Sequence, residues 1–481
     1  MMSRVFQSVC PICGDSIPAA YVTQGEAVYV CKTCPAHGDF RVLASENAAD
    51  FARWMDFPSV TVPPRMRTAK GVHSYFPDSF SVIGQGAGSV LNTECPHHCG
   101  LCENHLMTAC CVLLNVTERC NQLCPYCFAA ATSVTPGIGP QSTPPDPPLS
   151  VIARWLDRLT ELGEERKYNI QLSGGEPTVR DDLPEIIRLC AEKGFEYIQL
   201  NTNGRRLAGD GTGGLAYAQT LKSAGLTTVF LQFDGVTDDV YTALRGEPLL
   251  ALKQRAIENC GKAGLPVTLV PTVTKGVNLG QTGDIVRFLL ANVSVVKGIH
   301  FQPASFFGRR PDEATEQGDF AERVTMFAVM EEIERQTGGL IQKADLAPIS
   351  TGHPLCCFCA SFMKEGDKVK RMSSGGSCCD EEAKDASPLE TIRRDRDFVL
   401  NKWTGPIAAE ETCCCDTEQS GVMSFDEAID YFRNNMFTIS GMGFMDATNL
   451  DAERLRRCRV QVFADGERLV PFCGYYSGVK A

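Results

Sequence analysis

The chain has 481 residues, 43% of them hydrophobic and 22% charged, a balance ordinary for a folded enzyme with a catalytic domain and smaller attachments. Its net charge of −12 argues against nucleic acid as the main partner, because phosphate binding wants a basic face. The sequence offers no apolar run of membrane-spanning length, and Met1–Ser8 lacks the apolar core of a signal peptide, so a cytoplasmic location is expected. With no export signal, 24 cysteines point to metal rather than to disulfides.

Residues 1–70 open the chain as a small metal module. Cys10-Pro-Ile-Cys13 and Cys31-Lys-Thr-Cys34 are two Cys-x2-Cys knuckles separated by the β-like stretch Ala27–Val30. Four thiolates in this spacing suit a tetrahedral site for mononuclear zinc or iron, either a structural ribbon or a rubredoxin-like centre. His37 and His73 have no paired ligand in sequence and read as surface or core residues. Residues 71–111 carry Cys95, Cys99 and Cys102, and Cys110 supplies a fourth thiolate that closes the sphere of an auxiliary cluster. His97, His98 and His105 read as neighbours that orient ligands.

Cys120, Cys124 and Cys127 follow the apolar run Val112–Leu114. A 4Fe–4S cluster usually takes four cysteines, so a loop of three leaves one iron open. An open position is where a metal centre does chemistry rather than bracing a fold. The plainer alternatives are a zinc knuckle and a closed, inert cluster. The next motif is Gln171-Leu-Ser-Gly174-Gly175-Glu176-Pro177-Thr178. Its glycines permit close backbone approach, Glu176 offers a carboxylate to an ammonium group, and Pro177 stiffens the turn.

From Val112 to Gln302 strand and helix alternate. Strands are expected at Val112–Val116, Asn169–Leu172, Tyr197–Leu200, Thr228–Phe233, Val267–Val273 and Gly298–Phe301, with a helix between each pair. Six βα units imply a parallel sheet with right-handed crossovers, an α/β partial (β/α)6 barrel across residues 112–345. Ligands of such sheets sit at the carboxyl ends of the strands. Asn201, Asn203, Gln232, Asp234 and Thr272 all end strands there and are candidate cofactor contacts. Thr132–Pro148, rich in proline, serine and threonine, reads as a loop or lid beside the site, and Ala314–Gln336 as a helix. Residues 346–481 form a cysteine-rich extension without regular spacing, in which Cys356 or Cys359 could join Cys458 and Cys473 on one further cluster.

The three-cysteine loop and the Gly-Gly-Glu-Pro turn resemble those of the radical S-adenosylmethionine (SAM) superfamily. The resemblance implies that Cys120, Cys124 and Cys127 hold a SAM-binding cluster, that Gly174, Gly175, Glu176 and Pro177 hold the amino group of SAM, and that a 5′-deoxyadenosyl radical results. A donor such as ferredoxin or flavodoxin is expected to reduce the cluster. Cys-Pro-x2-Cys-Gly-Leu-Cys-x2-His, Thr-x-Arg-Cys-Asn, Leu-Gln-Phe-Asp-Gly-Val and the tail stretch Ser440–Asn449 are similar to the archaeal tetraether lipid synthase family, earlier grouped with class D radical SAM methylases. That family implies a rubredoxin-like site, two auxiliary clusters, a SPASM-like tail and coupling of lipid alkyl ends at a peripheral membrane contact. A greasy tunnel would then be lined by Phe301, Phe306, Phe307, Met326 and Phe327. Methylation of a small soluble substrate such as a pterin is the alternative, favoured by a wet, polar pocket. A non-enzymatic electron carrier is the third reading.

Overall fold

The computed structural model describes residues 4–61, 63, 65–68, 71–74, 105–133, 145–162, 168–209, 211–309, 323–372, 425–464, 466 and 468–477. Cys95, Cys99, Cys102, His97 and His98 lie outside these residues, as does the middle of the Thr132–Pro148 insert.

At the N-terminus β1 (Val5–Val9), β2 (Ser16–Gln24), β3 (Ala27–Cys34) and β4 (Gly38–Ser45) form an antiparallel sheet in that order, followed by α1 (Ala48–Met55). Alternation along β3 buries Val28, Val30, Lys32 and Cys34 and turns Ala27, Tyr29 and Cys31 to the other face.

The barrel strands are β5 (Cys111–Thr117), β6 (Asn169–Gly174), β7 (Ile198–Thr202), β8 (Thr228–Gln232), β9 (Val267–Val270) and β10 (Val296–Pro303). All six expected strands are present, and each pairs in parallel with the next. Between them run α2 (Leu149–Leu162), α3 (Leu183–Glu192), α4 (Gly213–Ala224), α5 (Asp238–Arg245), α6 (Leu250–Lys262) and α7 (Thr282–Ala291). Ile152, Leu156, Leu159 and Leu162 recur every three or four residues on α2 and are its buried face, the amphipathic spacing that seats a helix on a sheet. Along the strands buried apolar residues such as Ile170, Leu172, Leu200, Leu231, Leu269 and Ile299 alternate with Gln171, Asn201, Gln232, His300 and Gln302, which line the cavity inside the barrel. The helix expected over Ala314–Gln336 is α8, Met326–Thr337, which Thr325 caps by accepting from the Ala328 N–H.

The tail continues the barrel sheet. β11 (Cys357–Glu365) and β12 (Lys368–Met372) form a hairpin, α9 (Phe425–Asn435) leads into β13 (Met436–Met442), and β14 (Val460–Ala464) and β15 (Arg468–Pro471) form a second hairpin. β13 pairs in parallel with β10, the last barrel strand, and β14 in parallel with β5, the first. The resulting order is β12-β11-β13-β10-β9-β8-β7-β6-β5-β14-β15.

The N-terminal module packs onto this body rather than swinging free. Phe51 and Trp54 of α1 meet Phe327 of α8 at ring separations of 6.5 and 5.1 Å. Tyr21 donates to Asp451 Oδ2 at 2.9 Å, and buried Lys32 donates to Val9 O and Ala447 O at 2.6 and 2.7 Å. Phe327 and Met326 therefore belong to an interdomain core. Phe301 is fully buried in the same core, and Phe306 lies beneath the Arg323 guanidinium at 4.6 Å. The lipid tunnel expected along these side chains is not formed by them; Phe307 alone of the five lines the central cavity.

Candidate active site

At the carboxyl ends of the barrel strands the chain between β5 and α2 carries Cys120, Cys124 and Cys127. Cys120 and Cys124 are buried, Cys127 is half-buried, and all three border a cavity of about 400 Å³ inside the barrel. Burial, with the charge of Glu176 next, pushes the Cys120 thiol up to about 12, and burial also raises that of Cys124. Such thiols stay protonated unless a metal takes the proton's place.

The loop is held by backbone contacts that explain the glycines. Gly175 N–H donates to Thr117 O at 2.8 Å and Glu176 N–H to Arg119 O at 2.8 Å. Gly174 has a φ of +129°, and a Cβ there would collide with the Thr117 carbonyl, while one on Gly175 would collide with that of Arg119. The close approach expected of Gly-Gly is thus made first to the cysteine loop itself. Glu176 is 2% exposed and its carboxylate accepts from the Thr178 N–H and hydroxyl at 3.1 and 2.7 Å, the Thr202 hydroxyl at 2.7 Å and the Asn203 N–H at 2.6 Å. Pro177 opens the single 3-10 turn that follows. Asn203 reaches the loop directly, donating to Asn121 Oδ1 at 2.7 Å.

The structure divides the other strand-end candidates. Asn201 and Gln232 line the cavity, and so does Thr272. Asp234 does not: it is fully buried and forms a two-point ion pair with Arg245, both bonds 2.7 Å long. Arg245 also donates to the Thr272 hydroxyl at 2.8 Å and to Tyr126 O at 3.0 Å, inside the cysteine loop. Asp234 was expected on the rim because it follows the last apolar residue of its strand; its carboxylate instead anchors the arginine that anchors the loop.

Arg309 is a second anchor that sequence reasoning missed. Its side chain donates to Cys124 O at 2.8 Å and Ala131 O at 3.2 Å, and its backbone exchanges two hydrogen bonds with Cys127. Gly308 before it has a φ of +72°, and a Cβ there would collide with the carbonyls of Cys127 and Phe128. At the end of the insert, Asp146 accepts from Thr117 at 2.6 Å and pairs with Arg119, which ties the far end of that segment to the cysteine loop.

Inside the loop the Gln122 side chain is buried against the cavity, with neither its oxygen nor its nitrogen partnered among the described residues. A buried amide left open on both ends marks a place where another polar group belongs. The thiols of buried Cys120 and Cys124 and half-buried Cys127 on the same cavity, spread wider than ligands of a single ion, fit a cubane cluster with one iron free for SAM.

The N-terminal module corrects one ligand. Cys10, Cys13, Cys34 and His37 bring their ligand atoms within 4.8 Å of one another; Cys31 is not among them. His37 Nδ1 lies 3.6 Å from Cys10 Sγ and 3.4 Å from Cys34 Sγ. Cys31 and Cys34 are three apart on β3, so they point to opposite faces. The set is Cys3His, which suits zinc better than the four sulfurs of a rubredoxin-like iron.

In the tail, Cys356, Cys458 and Cys473 converge from three segments; burial raises the thiol pKa of Cys458 and of Cys473, and the charge of Cys356 adds to both. Met445 N–H points at Cys473 Sγ from 3.2 Å and Arg454 Nε at Cys356 Sγ from 3.5 Å. Cys359 lies in β11, half-buried. Cys110 is half-buried beside β5, with its proposed partners outside the described residues. His105 is buried and meets Cys458 O through Nε2 at 3.1 Å.

An α/β half-barrel with three cysteines and a Gly-Gly-Glu turn at its carboxyl rim defines a radical SAM enzyme, and the sequence profile described as "Radical SAM superfamily" matches residues 114–289. A second, "HMPTM N-terminal zinc ribbon domain", matches residues 2–46. Over 98% of its length, and 93% of the relative's, the chain is 32% identical to 7,8-dihydro-6-hydroxymethylpterin dimethyltransferase of Methanocaldococcus jannaschii, and it belongs to that family within the radical SAM superfamily. It is also 30% identical to a probable GTP 3′,8-cyclase of Methanothermobacter thermautotrophicus over 36% of this chain and 52% of that one. Fe-coproporphyrin III synthase of Methanosarcina barkeri is 33% identical over 34% of this chain and 37% of its own.

Proposed function

We propose that this enzyme methylates a small, flat, polar heterocycle, a reduced pterin of the kind named for its full-length relative. The observation that carries the reading is the cavity wall: Asn201, Gln232, His300 and Gln302 bring polar side chains from three barrel strands to the space bordered by the three cysteines. An alkyl chain gains nothing from such groups and would leave them desolvated and unpaired. The methylation alternative is therefore preferred to the lipid coupling that the motifs first suggested.

When bound, the cluster and SAM supply a 5′-deoxyadenosyl radical able to take hydrogen from an unactivated carbon. The chain's own residues bind and orient. SAM would lie along the Gly174–Glu176 turn beside Asn201 and Asn203, while Cys120, Cys124 and Cys127 hold the cluster. Arg245 and Arg309 hold the loop through the carbonyls of Tyr126, Cys124 and Ala131. One or two auxiliary clusters, on Cys110 with its N-terminal neighbours and on Cys356, Cys458 and Cys473, would pass electrons from a ferredoxin- or flavodoxin-like donor.

Lipid coupling keeps one supporting observation, an aromatic side of the same cavity made by Phe307, Phe444 and Phe472, and it alone would call for a membrane-surface contact. Among the described residues no helix is long and apolar enough to cross a membrane. Reconstituted, reduced protein should form 5′-deoxyadenosine and a methylated product when given SAM and 7,8-dihydro-6-hydroxymethylpterin. Product formation with ether lipid and none with the pterin would sink the reading.

A further inference from the structure

The hydrogen-bonding polarity of the cavity wall is fixed from behind. His300 Nδ1 lies 2.9 Å from Ser440 Oγ on β13, and that hydroxyl also lies 3.2 Å from Ile299 O. A carbonyl oxygen can only accept; with the serine proton on Ile299 O, the serine oxygen receives Nδ1–H. His300 Nε2 is then a bare acceptor on a neutral ring, and no described residue donates to it. Burial keeps the ring neutral, pushing its pKa down to about 4. The ring leans on Phe230 at a centroid distance of 5.5 Å, which fixes its plane.

Two strands away Gln232 is set the opposite way. Lys253, itself fully buried, donates to Asn203 O at 2.6 Å and to Gln232 Oε1 at 3.1 Å. An ammonium has only donors, so the amide oxygen must face it and the NH2 group faces the cavity. The sheet registers put Gln232 opposite Val270 and His300 opposite Ser440, with Leu269 opposite Ile299, so acceptor and donor sit at one level of the barrel.

We propose that His300 Nε2 receives a ring N–H of the substrate while the Gln232 amide donates to the adjacent ring carbonyl, so that the pocket selects a cyclic lactam edge. This assignment rests on the methylase reading above and adds the atoms by which the substrate is chosen. Ser440 and Lys253 are positioning residues, since they act only through His300 and Gln232.

The test uses anaerobic equilibrium binding to the reconstituted, SAM-loaded enzyme, with 7,8-dihydro-6-hydroxymethylpterin and its N3-methyl analogue, which lacks the lactam N–H. A site built to accept a hydrogen bond rejects a ligand that cannot give it. The expected preference for the N–H compound is about tenfold, and His300→Phe, which keeps a flat ring against Phe230, should erase it. Ser440→Ala should weaken the same preference by letting the proton settle on Nε2, and it provides a second variant if His300→Phe does not fold. Equal binding of the two pterins, or a preference that survives His300→Phe, overturns the lactam assignment and leaves the methylase reading standing. Binding of lumazine with the same N–H dependence on His300, and no binding of the pterin, upholds the assignment and overturns the pterin. If neither pterin nor lumazine binds, both fall.

Discussion

Cys31 shows how much one residue of strand register can decide. The two knuckles invite a four-sulfur site, but β3 runs through the second of them, and extended backbone sends Cys31 and Cys34 to opposite sides. His37 fills the vacant corner because the tight turn Pro35-Ala36-His37 brings its Nδ1 back over Cys34, with His37 N–H donating to Cys34 O at 3.3 Å. Purified protein should carry one zinc per N-terminal module. Cys31→Ser should keep that zinc, whereas His37→Ala should lower its affinity at least tenfold, as measured by competition with a chromogenic chelator. Loss of zinc in Cys31→Ser with retention in His37→Ala would restore the four-sulfur assignment. His37 stands three residues after Cys34 in the sequence, but Cys31-Lys-Thr-Cys34 already completes a knuckle there, so spacing alone gives the histidine no role.

Among the elements, periodicity made the barrel legible. All six parallel strands lie near their expected places, because short apolar-rich strands alternating with amphipathic helices leave few other folds. What periodicity could not disclose is pairing between distant segments. Asp234 sits at a strand end and looks like a ligand contact, yet its partner is eleven residues on, at the end of α5, where nothing in the sequence separates a buried arginine from a surface one. The Arg245–Asp234 pair supports the Tyr126 carbonyl, so Arg245→Met should leave a buried carboxylate unpaired and cost about 3–5 kcal/mol in denaturant unfolding. Arg245→Met with Asp234→Leu should recover a large part of that stability and still lose cluster content, because Tyr126 and Thr272 are no longer held. Equal cluster content in the double variant and the parent would show that the arginine does not position the loop.

For the molecule as a whole, buried histidines set a slope of stability with pH. Burial pushes His105 and His300 down to about 4 and His353 down to about 2. In the unfolded chain each would titrate near 6.5, so between roughly pH 6.5 and 4 the unfolded state binds protons that the native state refuses. Stability therefore falls as pH drops through that window, by roughly 1–2 kcal/mol per histidine at pH 5. Thermal unfolding of the metal-loaded protein at pH 7 and pH 5 should show the loss, and His105→Gln should shrink the difference. An unchanged difference in that variant would assign the slope to other groups.

The tail strands that flank the barrel carry a consequence for synthesis. β5 emerges from the ribosome early, but in its outer neighbour β14 the paired residues, Val460 opposite Cys111, come 349 positions later, and β10 waits likewise for β13. Until translation is nearly finished, both margins of the nascent half-barrel expose unpaired backbone, an invitation to aggregation that makes folding slow and dependent on distant partners. Cys458 and Cys473 arrive with those last strands, so their meeting with Cys356 waits for the end of the chain, and a chain truncated before Val460 would be left with an open seam.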